Sequence, residues 1–131
     1  MSMKTVRFEY DEQRNILFVE DDYEIASEAD ADAFLKLYEN ELQRIGRKVW
    51  IVTSIDGLRV RAKVYAHYGQ KLKALAEQWY LGLARWGKDP VSRMTVRSSS
   101  LLAKYEINIH DTKEQAVAAI EQIKQRSGIS Q

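Results

Sequence analysis

Val6, Phe8 and Tyr10 alternate with Thr5, Arg7 and Glu9 near the start of the chain, a period of two that predicts a strand with one buried and one wet face. A polar turn over Asp11 to Asn15 leads into the continuous apolar run Ile16-Leu17-Phe18-Val19, which predicts a strand covered on both sides. The two make an antiparallel hairpin. Beyond the acidic Glu20-Asp21-Asp22, Ser27 and Asp30 resemble a capping box. Ala31, Phe34, Leu35, Tyr38, Leu42 and Ile45 then recur at helical spacing as far as Gly46, which can end the helix.

Val49-Trp50-Ile51-Val52 is short, β-branched and apolar, so it predicts a central strand beneath helices, with Asp56-Gly57 marking the loop that leaves it. Val64, Tyr65, Tyr68, Leu72, Leu75, Ala76 and Trp79 give a second amphipathic helix. Tyr80 to Ala84 reads as a fourth strand. Asp89-Pro90 starts a third helix, because Asp caps free N–H groups and Pro at the first position needs no donor. Its expected buried side is Val91, Met94, Leu101, Leu102 and Tyr105. Ile107 to Ile109 is a short last strand. Asp111 with Glu114, or Thr112 with Gln115, caps a final helix burying Ala116, Val117, Ile120 and Ile123, and the tail from Ser127 is expected to fray.

The order is β-β-α-β-α-β-α-β-α. Helices that carry the chain back over a sheet make the later strands parallel, so the expected fold is α/β on a mixed sheet of four to five strands, with an N-terminal hairpin and about four helices. The 131 residues fit one domain, 1–131. No apolar run approaches the roughly 20 residues of a transmembrane helix, and MSMKTVRFEY has no apolar signal-peptide core, so a cytoplasmic location and no membrane span are expected.

The chain has no cysteine and two isolated histidines, His67 and His110. Disulfides, thiolate nucleophiles and cysteine-ligated zinc are excluded, and no metal site is expected. Charge is unevenly spread. Residues 1–41 carry four basic and twelve acidic side chains, a balance of −8, whereas 42–105 carry thirteen basic and three acidic, a balance of +10. Such asymmetry favours steering of charged partners or self-association as a homo-oligomer, and equally describes helix faces that differ in sign.

The segments VWIVTSIDGL at the third strand and its exit, YLGLARWG at the fourth and INIHDTKEQAVAAIEQI at the end resemble the STAS domains of anti-sigma-factor antagonists and sulfate-transporter tails. The similarity is nearest to the SpoIIAA-like, CRAL-TRIO-related group. In phosphorylated STAS proteins a serine within Asp-Ser-Ser-Gly-Leu begins the helix after the third strand. Laid on this chain, that stretch becomes Ser54-Ile55-Asp56-Gly57-Leu58, with aspartate at the acceptor position; a shifted register puts Arg61 to Val64 at the helix start. The acceptor serine is absent either way, as in the SpoIIAA-like group, so the resemblance implies a regulatory module without a phosphotransfer cycle.

Ligands of open parallel sheets bind at the carboxyl ends of strands, which singles out Thr53, Ser54, Asp56 and Gly57. Arg59, Arg61 and Lys63 follow, while Arg85, Lys88, Arg93 and Arg97 lie near the next strand exit; they suit an anionic ligand, a lipid headgroup or an acidic protein surface, and also read as solvated charge. Trp50 and Trp79 fall on core positions, and Trp86 is expected in an exposed loop, where it could anchor an interface. A pI near 7.9 and the lack of any RNA-binding or helix-turn-helix signature argue against nucleic acid. Ser98-Ser99-Ser100 has no nucleophile elbow, and no GxGxxG or Walker loop is present, so neither enzyme activity nor a cofactor is expected. The expected function is a non-enzymatic module that binds an unknown protein partner. The alternative is a binding protein for a small apolar, lipid-like ligand, which predicts an internal void.

Overall fold

A computed structural model describes residues 4–128. In chain order the elements are β1 (Lys4–Asp11), β2 (Ile16–Ile25), α1 (Glu28–Ile45), β3 (Val49–Val60), a short 3-10 turn (Ala62–Val64), α2 (Tyr65–Trp79), β4 (Tyr80–Trp86), α3 (Pro90–Ala103), β5 (Ile109–His110) and α4 (Lys113–Ser127). The five strands lie side by side in sequence order. β1 and β2 pair antiparallel, and β2, β3, β4 and β5 are mutually parallel. The α/β class, mixed sheet, hairpin and four helices expected from the sequence are all present. None of the described helices is long and apolar enough to cross a membrane.

Each crossover steps to the next strand in the same direction, so α1, α2 and α3 lie in a row on one face of the sheet, here the front. Phe34, Tyr38 and Leu42 of α1 and Tyr68, Leu72 and Leu75 of α2 pack there on Leu17, Val19, Ile51, Ile55 and Leu83. α4 alone covers the back, where Ala116 and Ile120 meet Ile16, Trp50, Val52 and Ala84. Because α4 spans β3 to β5, the back of β1 and part of β2 has no helix over it.

The caps follow the sequence closely. Ser27 accepts the Asp30 N–H at the start of α1, Asp89 accepts the Ser92 N–H before Pro90, and Thr112 with Gln115 forms the reciprocal capping box of α4. α1 ends at Gly46; of the tail expected to fray from Ser127, Ser127 itself closes α4, and residues 129–131 lie outside the described residues.

Three expectations are corrected. β2 and β3 do not stop at Val19 and Val52 but continue together to Ile25 and Val60. Asp56-Gly57 therefore belongs to β3, in a bulge where the register passes from Glu20–Ser54 to Asp22–Gly57. A side chain at Gly57 would strike Asp22 and come within 2.6 Å of the Asp21 carbonyl oxygen, so the residue serves close strand contact rather than a turn. The last strand is displaced by two residues, to Ile109–His110. The third correction concerns α3.

Candidate functional site

The residues singled out at the strand ends are dispersed by the fold. Thr53 is buried on the front of β3, whereas Ser54 and Trp86 are register neighbours and point to the back. Trp86 is the half-buried last residue of β4, not part of an exposed loop. Arg85, expected among solvated charges, is only 4% exposed and donates to the carbonyls of Glu106 and Ile107 at 2.8 Å each. Arg61 is exposed beyond β3, its N–H bonded to the Ile25 carbonyl.

Asp56 and Arg59 hold the β4–α3 connection. The Asp56 carboxylate accepts the N–H groups of Lys88 and Asp89 at 2.8 and 3.0 Å. Arg59 donates to Ser92 Oγ at 2.6 Å and pairs with Asp89 at 2.9 Å, while Ser92 Oγ reaches the Leu58 carbonyl. A carboxylate accepting two backbone N–H groups fixes a loop without needing a ligand. These residues determine where and at what angle α3 begins.

That angle turns α3 over. Its buried side is Ser92, Thr95, Val96, Ser99, Ser100 and Ala103, while Val91, Met94, Leu101 and Leu102 are 47, 54, 67 and 56% exposed. Tyr105 lies just past the helix and is half-buried. The cause is close packing between α2 and α3. A Cβ on Gly69 of α2 would strike the Ser99 carbonyl oxygen and lie 3.1 Å from Ala103 Cβ, so only small residues fit the seam. The Ser99 hydroxyl is satisfied within its own helix, donating to the Thr95 carbonyl at 2.8 Å.

The outward side is consequently an apolar stripe of Val91, Met94 and Leu101, with Leu102 beside it and Ser98 interrupting it. A groove of about 520 Å³ runs along it, lined by Lys88, Arg93, Met94, Arg97 and Leu101, with Asp111 on the far wall. Arg93 is anchored by the Gly87 carbonyl and Asp111. Among the described residues no carboxylate pairs with Lys88, Arg97 or Lys104. The surface is thus apolar at its centre and cationic at its rim.

Two further features complete the survey. On the back, a trough of about 410 Å³ lies between α4 and β1–β2, floored by Phe18, Val52 and Trp86 and edged by Arg7, Glu20 and Lys113. Lys113 Nζ stands 4.6 Å from the Phe18 ring centroid. On the front, Asp21, Thr53, Tyr38, Tyr68, Tyr80 and Arg85 surround a cavity of about 20 Å³, room for one water. Tyr38 donates to Asp21 Oδ1 at 2.6 Å. Burial raises the Asp21 pKa to about 7, against the opposing pull of the Tyr38 hydrogen bond and the Arg85 charge.

The histidines and the serine run stay apart in their bonding. His67 meets Asp32 at 2.8 Å between α1 and α2, His110 meets Asn108, and Ser99 bonds its own helix. Among the described residues no three His, Cys, Asp or Glu side chains are grouped to hold a metal ion. No protein-family model matches the chain, and no curated protein matches it.

Proposed function

We propose that this chain is a non-catalytic protein-interaction module of STAS-like type in a cytoplasm-type compartment, docking an acidic amphipathic segment of a partner protein along the outer face of α3. The observation that carries the reading is the outward stripe of Val91, Met94, Leu101 and Leu102, with Lys88 and Arg97 bordering its groove. Exposed apolar patches bordered by polar residues mark interaction sites, and a helix laid in a groove anchors through such spacing while rim charges select its partner. A protein segment suits the groove, because Met94 and Leu101 offer it an apolar floor while Lys88 and Arg97 are left to meet its carboxylates; Asp111 is already held by Arg93. No phosphate switch belongs to this reading, since the Asp56 carboxylate is already engaged in holding the α3 approach.

Photo-crosslinking tests it. Met94→benzoylphenylalanine is expected to give a discrete heteromeric adduct in cells, lost on adding Leu101→Asp, whereas Gln43→benzoylphenylalanine on exposed α1 gives none. Absence of any adduct from position 94 contradicts the reading. An adduct of twice the chain mass replaces the heterologous partner with a second copy.

A second reading, a binder of a small apolar or lipid-like anion, is supported by the back trough with its aromatic floor and the Lys113 ammonium above it. Mass lost from the gently purified protein on denaturation supports it, and abolition of that mass by Phe18→Asp ties it to the trough.

A further inference from the structure

Among the described residues the outer edge of β1 has no partner in the sheet, and of the devices that blunt such an edge it carries charged side chains, two of each sign. β1 is eight residues long, contains neither Pro nor Gly, and pairs with β2 from Lys4–Tyr23 to Asp11–Ile16 without a bulge. An unpaired strand without a bulge is a template for another strand. Val6, Phe8 and Tyr10 add half-buried apolar surface on its front, and Phe8 stacks edge-on against Tyr38 at 5.4 Å.

We infer that β1 pairs antiparallel with β1 of a second copy about a two-fold axis at Phe8, joining two sheets into one of ten strands. The sequence of the strand selects this register. Directly opposed residues share a face, so the pairing can slip only in steps that keep odd positions against odd ones. Centred on Phe8, Thr5 opposes Asp11 of the second copy, Val6 opposes Tyr10, and Arg7 opposes Glu9. Centred on Arg7 or on Glu9, the strand instead opposes two like charges at the axis, which is unfavourable. Within its own protomer Arg7 already holds Glu20 and Asp22, whereas Glu9 has no cation partner among the described residues. The second copy's Arg7 supplies one.

The assembly closes at two. The opposite edge of the sheet is β5, only two residues long, too short to continue a ladder. The acidic excess of residues 1–41 opposes the approach of two such ends, but along β1 and the turn after it Lys4, Arg7 and Arg14 balance Glu9, Asp11 and Glu12, and the repulsion from the acidic residues of β2 and α1 is screened beyond about 8 Å at physiological salt. The inference is independent of the α3 reading, which concerns the other end of the front layer.

Sedimentation equilibrium with charge-reversed variants tests it. The unaltered chain is expected at twice its 15.2 kDa mass, and Glu9→Arg and Arg7→Glu are each expected as monomers, since each opposes like charges across the axis. Mixing the two variants is expected to restore dimer, because every opposed pair is then again of opposite sign. Circular dichroism confirms that both variants are folded. A monomeric unaltered chain at its highest soluble concentration overturns the inference, as does a Glu9→Arg variant that stays dimeric or a mixture that stays monomeric.

Discussion

Asp21 occupies a position where a carboxyl group is disfavoured in its charged form. It is 4% exposed among Tyr38, Tyr68 and Tyr80, and its pKa of about 7 lies well above the 3.8 of an unburied aspartate. The unfolded chain therefore gives up this proton near pH 4, whereas the folded chain keeps it to about pH 7. Between those values the native state binds more protons, so stability from this group falls as pH rises through the window and is fully lost above it. Asp21→Asn, which keeps an acceptor for Tyr38, is expected to flatten that slope and to be the more stable protein at pH 8, by an amount on the order of a few kcal/mol. Denaturant titrations of both proteins at pH 5 and pH 8 check this; parallel pH dependence in the two would show that Asp21 is ionised throughout.

At the scale of single elements, what the sequence conveyed and what it concealed have separate physical origins. Caps and the order of elements along the chain were legible because they depend on local chemistry: Ser27, Asp89-Pro90 and Thr112-Gln115 satisfy helix N–H groups wherever the helix lies. The outward side of α3 was not legible, because periodicity locates an apolar face without saying whether it is buried. The clue lay in the small residues Ser92, Thr95, Ser99 and Ala103 on one face of α3, of which Ser99 and Ala103 meet Gly69 of α2. The extents of β2 and β3 were hidden for a related reason. Asp21 stands in an acidic run past the apolar residues and Asp56-Gly57 reads as a loop, yet the first is sheltered by Tyr38 and the other two lie in a bulge. Of the candidate site, Arg93 and Arg97 do border the α3 groove, while Asp56, Gly57 and Arg59 hold the scaffold that presents it. Tight packing at the α2–α3 seam predicts that making it more hydrophobic is harmful. Ser99→Leu is expected to lower the free energy of unfolding by about 1–3 kcal/mol through overpacking, measured by urea denaturation; an unchanged or raised value would mean that the seam has room.

Across the whole molecule, charge and apolar surface are laid out along the sheet. The acidic β1–β2–α1 end is opposite the basic end at α3, with α2 between them. One end carries an unpaired strand edge of balanced charge, and the other an apolar groove with a cationic rim. On this account each end meets a different surface, so a dimer formed through β1 leaves both α3 faces free for partners. That division depends on α3 presenting its large apolar side chains to solvent, where they contribute to binding and little to folding. The most direct measurement is denaturant unfolding of the Met94→Ser/Leu101→Ser double variant beside the unaltered chain. The account predicts stabilities equal to within about 0.5 kcal/mol, as for substitutions at exposed positions. A loss of about 4 kcal/mol or more, the cost of emptying two large side chains from a core, would place that stripe inside the protein and contradict it.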